Sequence, residues 1–155
     1  MTLVLLVGTW YLQDLIQVLV GAGLLAPELF FMALNGVGTK RFDVPCVWYL
    51  LPALGGLLLD FRWSGMPGLT AAVFVMAHWA FRLFWFDLPR DGRTGGAFVV
   101  SNWVLMSIIS CIRLVLLPRS LGALNWLAVY LFQMVLTVPA FLAAWSYRTW
   151  NDEDL

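Results

Sequence analysis

Leu50–Gly68, LLPALGGLLLDFRWSGMPG, is an apolar run that stops on one carboxylate, turns through Gly and Pro, and re-enters apolar sequence at Leu69. The pattern predicts a transmembrane helical hairpin with Asp60 at the tip of its first arm. An Asp deep in hydrocarbon costs roughly 2.5–3.5 kcal/mol, and much less near the interface, so the fold is expected to use Asp60. Gly55 and Gly56 precede it by about one helical turn, and small residues there let a neighbouring backbone come close. Gly65 and Gly68 flank Met66 and Pro67, which favours a tight connection straight into the next helix. Two partners are open to Asp60: the unpaired amides at that helix start, or Arg62.

The rest of the chain agrees with a membrane setting. Of 155 residues, 62% are hydrophobic and 12% charged, and the mean hydropathy is +0.86, far above a soluble domain. Six apolar segments are predicted, near 3–22, 25–38, 44–60, 67–86, 96–117 and 124–147. The class is therefore an all-α integral membrane protein, a six-helix transmembrane bundle forming a single domain over 1–155. Leu3–Val37 is too long for one crossing and has no charged residue except Asp14 and Glu28, so a turn is placed near Gly21–Ala26, with Pro27 in the first turn of the second helix. A re-entrant second segment competes with a full crossing.

With six crossings, Lys40, Arg41, Arg82, Arg90, Arg93 and Arg148 collect on one face, and Arg62, Arg113 and Arg119 on the other. The positive-inside rule then puts both termini in the cytoplasm. Met1–Gly23 has no basic start and reads as a retained span, not a cleaved signal. Trp10, Trp63, Trp85, Trp126, Trp145 and Trp150 lie near predicted helix ends and fit interfacial anchoring. Cys46 and Cys111 are far apart in apolar surroundings and read as buried free thiols.

Nine basic residues balance nine acidic ones, which leaves no basic field for nucleic acid. One histidine, no CxxC and no nucleophile elbow leave no recognisable metal or catalytic constellation. Neither catalysis nor a cofactor is expected. The remaining polar residues sit in the spans. Gln13, Asp14 and Gln17 form a stripe that should face protein, either the same bundle or another subunit. His78 and Arg82 share a helical face, with Trp85 further along. That face could take an anion or lipid headgroup, but the preferred reading has Arg82 reaching for the interface and His78 bonding a neighbouring helix. Ser107, Ser110 and Cys111 give the fifth segment a small-residue stripe suited to packing.

Pro27-Glu28 opening the second segment, the basic loop Gly36–Arg41, GGLLLD ending at Asp60 and the SGMPGLTA turn from Ser64 to Ala71 together resemble the rod shape-determining MreD family. The resemblance extends over nearly the whole chain. It departs from many members in the short join before Pro27 and in Pro52 within the third segment. The resemblance implies a non-catalytic component of bacterial cell elongation and peptidoglycan synthesis in the inner membrane. Its partners would be an MreC-like single-span protein and, indirectly, RodA, its transpeptidase and MreB, with membrane lipids around it. It also implies a fold similar to the substrate-binding S components of energy-coupling-factor transporters. A small-molecule-binding transporter subunit is therefore the alternative, although the outer loops offer few polar groups beyond Arg62, Ser64, Arg119 and Asn125.

Overall fold

The computed structural model describes residues 2–20, 28–39, 45–64 and 67–116, together with the helical positions Leu131, Val135 and Val138. All regular structure among the described residues is helical: α1 (Thr2–Val20), α2 (Leu29–Gly38), α3 (Pro45–Leu59) running into a π turn (Asp60–Ser64), α4 (Leu69–Asp87), a 3-10 turn (Arg90–Gly92) and α5 (Gly95–Leu116). Among the described residues, two helices are long and apolar enough to cross a membrane, α4 and the Gly95–Ile112 part of α5. Apart from Leu131, Val135 and Val138, the expected sixth segment lies outside the described residues, as do the Gly21–Ala26 turn, Pro27, the Lys40–Arg41 loop, Gly65 and the carboxyl-terminal tail.

Local chemistry sets the element ends. Gly68, at φ +95°, is the residue before α4, a left-handed conformation natural to glycine, and it leaves the helix start with no capping side chain of its own. α4 stops at Leu88, which precedes Pro89 and is extended at φ −65° and ψ 136° because the proline ring disfavours helical geometry there. Thr94 caps α5, its Oγ1 accepting from the Ala97 amide at 3.2 Å. Pro52 stands inside α3, where it removes one amide donor.

α2 is shorter than the sequence suggests. It has 10 residues and begins after Glu28, so it is about 15 Å long, half the thickness of a bilayer core.

α3 and α4 form the most extensive helix pair, and α1 rests mainly on α2. One apolar core joins all five helices through Leu6, Phe31, Leu34, Leu59, Phe74 and Met106, among others. A second, aromatic cluster joins α4 to α5. Phe81 stacks on Trp85 at 5.8 Å, and Phe98 meets both rings edge-on at 5.8 and 6.0 Å, a favoured aromatic geometry. Trp85 is thus a core residue and not the interfacial anchor its position near a helix end suggested. Cys111, expected to be buried, is exposed and free.

The distribution of polarity is unusual. Gln13, Asp14, Gln17, Glu28, Asn35, Asp60, His78 and Asn102 are buried, so the described interior is nearly as polar as it is apolar. Outside, Leu, Val, Phe, Tyr and Trp side chains are exposed along α1, α3, α4 and α5, with Val4 and Leu19 at 75%.

Candidate functional site

Three polar assemblies occupy the interior, each tying two or more helices together. The first is the Asp60 cap. Asp60, at 0% exposure, sits where the π turn widens the end of α3. Its carboxylate accepts from the Thr70 amide at 2.9 and 3.0 Å, the Gly68 amide at 3.0 Å and the Ala71 amide at 3.3 Å. These are groups that a helix start leaves unpaired, and the helix dipole there favours a negative charge. Asp60 thus supplies from another helix the cap that Gly68 cannot.

Gly56 makes this reach possible. A Cβ at Gly56 would lie 2.5 Å from the Ala71 Cα and 2.7 Å from its nitrogen, so the two backbones touch where the glycine has no side chain. Gly55 is filled from the other side by the Phe30 ring, 2.2 Å from a built Cβ. Gly56, Asp60 and Gly68 of the sequence motif therefore meet around one joint, whereas Gly55 receives the Phe30 ring of α2. Arg62 does not join them. It reaches α1 instead, with its Nε 2.9 Å from an Asp14 carboxylate oxygen.

The second assembly fixes α1 to α2. Gln13 Nε2 donates to the Glu28 carboxylate at 2.9 Å, and Gln13 Oε1 accepts from the Phe30 amide at 3.0 Å. With Asp14 paired to Arg62 and Gln17 fully buried, the polar stripe of α1 faces its own bundle.

The third assembly links α2, α4 and α5. His78 Nδ1 lies 2.7 Å from Asn35 Oδ1, Asn35 Nδ2 donates to Asn102 Oδ1 at 2.7 Å, and Asn102 Nδ2 donates to the Phe98 carbonyl at 2.8 Å. A carbonyl can only accept, so the Phe98 oxygen fixes which end of Asn102 is the amide NH2. That choice fixes Asn35 in turn, and Asn35 leaves its oxygen for His78. Nδ1 must therefore carry a proton, and Nε2 of the neutral ring is a lone pair with no hydrogen-bond partner among the described residues. The ring fits against α2 because position 38 is glycine; a Cβ there would stand 2.7 Å from His78 Cε1.

Arg82, one turn beyond His78, is not part of this chain of bonds and lies 5.5 Å from the centre of the Phe86 ring. Asn35, Asn102 and Gly38 were not singled out in the sequence. The available signal was a single amide inside each of two apolar runs, LFFMALNGVG and VVSNWVLM, since such an amide must find a partner within the protein.

No group of three or more His, Cys, Asp or Glu side chains placed to hold a metal ion occurs among the described residues. Asp60, Glu28, Gln13, Asn35 and Asn102 are bonded to one another's helices or to backbone groups. Chemically the arrangement clamps helices: a carboxylate on a helix start, an amide bridging two chain segments, and a relay with one fixed direction. Comparison with family models, curated proteins and solved structures finds no match to this chain.

Proposed function

We propose that this chain is a six-span helical protein of the bacterial inner membrane, with both termini in the cytoplasm, and that it acts as a non-catalytic scaffold of the cell-elongation machinery. In this reading it binds the transmembrane helix of an MreC-like single-span partner, and through it RodA, its transpeptidase and MreB. The supporting observation is the inverted distribution of side chains: polar groups bonded together inside, large apolar groups exposed outside. Water would penalise such a surface, whereas lipid tails and partner helices accept it. Lipid also penalises any unbonded polar group, which fits an interior organised as hydrogen-bonded clamps. The motif resemblance around Asp60 supplies the cell-elongation assignment.

The test is affinity purification of the full chain in mild detergent, combined with depletion in a rod-shaped host. Co-purification of a single-span protein with a periplasmic domain, and rounding of depleted cells, are the expected results. A tightly held vitamin-sized molecule or an ATPase module in the purified sample would instead favour the transporter-subunit reading.

A further inference from the structure

The face of α1 turned away from the bundle carries a pattern that the scaffold reading does not use. Leu6, Gln13 and Gln17 are the buried side of this helix. On the opposite side Val4, Gly8, Tyr11, Leu15 and Val18 recur at alternating steps of four and three, which at 3.6 residues per turn brings them onto one stripe. All five are exposed, Val4, Tyr11, Leu15 and Val18 by 49–75%. Steps of four and three are the spacing with which one helix packs along another in a left-handed pair. The stripe holds no charged residue, and at Gly8 it is open, since a Cβ built there meets nothing within 4 Å.

Tyr11 gives the stripe its chemistry. It is the midpoint of α1, so on the membrane-spanning reading it stands about 15 Å from either interface, beyond the reach of a tyrosine side chain. Its ring meets Trp10 edge-on at 5.4 Å, and Trp10 packs against the apolar core, which braces the phenol. The hydroxyl has no hydrogen bond among the described residues. Lipid tails offer it none and penalise an unbonded polar group at that depth, so a second polypeptide is required to cover it. Two features select another copy of this chain. A phenol both donates and accepts, so two of them at equal depth satisfy each other. Copies inserted with one topology pair about a two-fold axis along the membrane normal, which sets their α1 helices parallel and level. Side chains lean toward the amino-terminal end of a helix, so each Tyr11 ring is carried toward the open Gly8 of the other copy, about 4.5 Å away along the axis. The stripe thus contains both a knob and the hole that receives it.

We propose that α1 pairs with α1 of a second copy along Val4, Gly8, Tyr11, Leu15 and Val18, with the two Tyr11 hydroxyls bonded to each other. The proposal rests on the membrane-spanning part of the reading above and not on the scaffold role.

The full chain, purified in mild non-ionic detergent, is weighed by sedimentation equilibrium under density matching, and a dimer is expected. Tyr11→Phe, which removes the hydroxyl alone, should weaken association about 3- to 30-fold, and Gly8→Leu, which fills the hole, should leave monomer. Both variants should keep the far-ultraviolet circular dichroism of the parent, because neither position lies on the buried side of α1. A parent that is monomeric at every concentration, or a dimer unaffected by both variants, overturns the pairing. Oxidative cross-linking in host membranes gives an independent readout, measured against the parent chain with its own Cys46 and Cys111. Leu15→Cys and Val18→Cys should form a disulfide-linked dimer, while Leu5→Cys and Leu12→Cys, also exposed but to the side of the stripe, should not. Equal cross-linking at all four positions overturns the assigned face. A cross-link from Leu15→Cys to a different protein would assign the stripe to a partner helix and overturn the second-copy assignment. Alkaline carbonate washing of host membranes separates the two failures. A chain released by the wash overturns the membrane reading and this pairing with it; a chain retained as a monomer overturns the pairing alone.

Discussion

Replacing Asp60 tests the joint between α3 and α4 most directly. Alanine removes the acceptor of three amides at once. The Thr70 amide is fully buried, while those of Gly68 and Ala71 are partly buried. A buried donor left without an acceptor costs about 1–3 kcal/mol. With the upper part of that range for Thr70 and the lower end for the other two, Asp60→Ala should cost about 4–5 kcal/mol. Asparagine keeps one oxygen, enough for Thr70, but loses the charge and turns an NH2 toward the remaining donors, for about 2 kcal/mol. The difference of about 2–3 kcal/mol is a factor of about 30–150 in the folding equilibrium. It can be read from reversible unfolding in mixed detergent micelles with increasing dodecyl sulfate, followed by far-ultraviolet circular dichroism and tryptophan fluorescence, and from folded yield in membranes. Equal stability and yield for the alanine and asparagine variants would refute the capping role.

Gly56→Ala should be more damaging than Gly55→Ala in the same unfolding assay. The new methyl at position 56 meets the Ala71 backbone at 2.5 Å, and backbone cannot rotate away, whereas at position 55 it meets the Phe30 side chain; we expect about 3 kcal/mol or more against about 1–2 kcal/mol. The relay predicts one tautomer, so nitrogen-15 imidazole spectra should show His78 protonated at Nδ1 and bare at Nε2, and a proton on Nε2 would contradict the assigned direction. Asn35→Asp should cost about 2–3 kcal/mol in the unfolding assay, because a carboxylate can accept from His78 but presents an acceptor to the Asn102 oxygen. A double-mutant cycle over Asp14→Asn and Arg62→Gln should give a coupling below about 1 kcal/mol, since the Arg62 side chain is 51% exposed and such pairs are screened; a larger value would place the pair in a drier setting.

The sequence carried the helices well where apolar length decides them. α1, α3, α4 and α5 fall within a few residues of the expected segments, because apolar length and Gly/Pro breaks are local properties. α2 was expected over 25–38 but starts at Leu29, a boundary that composition alone does not mark. The Asp60 joint was legible in outline, since a carboxylate at an arm tip followed by a glycine-proline turn has few uses. Which of its two partners it takes was not. Arg62 is nearer in sequence, but its pairing depends on where α1 packs, a tertiary fact. The same limit hid the relay, because Asn35, His78 and Asn102 are separated by 43 and 67 positions from one another's partners. Trp85 shows the converse error: a helix-end position suggested the interface, and contact with Phe81 and Phe98 decided for the interior.

The Asp60 cap also bears on how the protein is made. The carboxylate emerges from the ribosome eight to eleven residues before the amides that receive it. Until those amides arrive, the carboxyl group has only water for company, and on the membrane-spanning reading proposed above α3 alone is a poor candidate for release into lipid. Insertion is therefore expected to proceed by pairs at this point, with the translocation channel holding the first arm until the second has formed enough of a turn to take its charge.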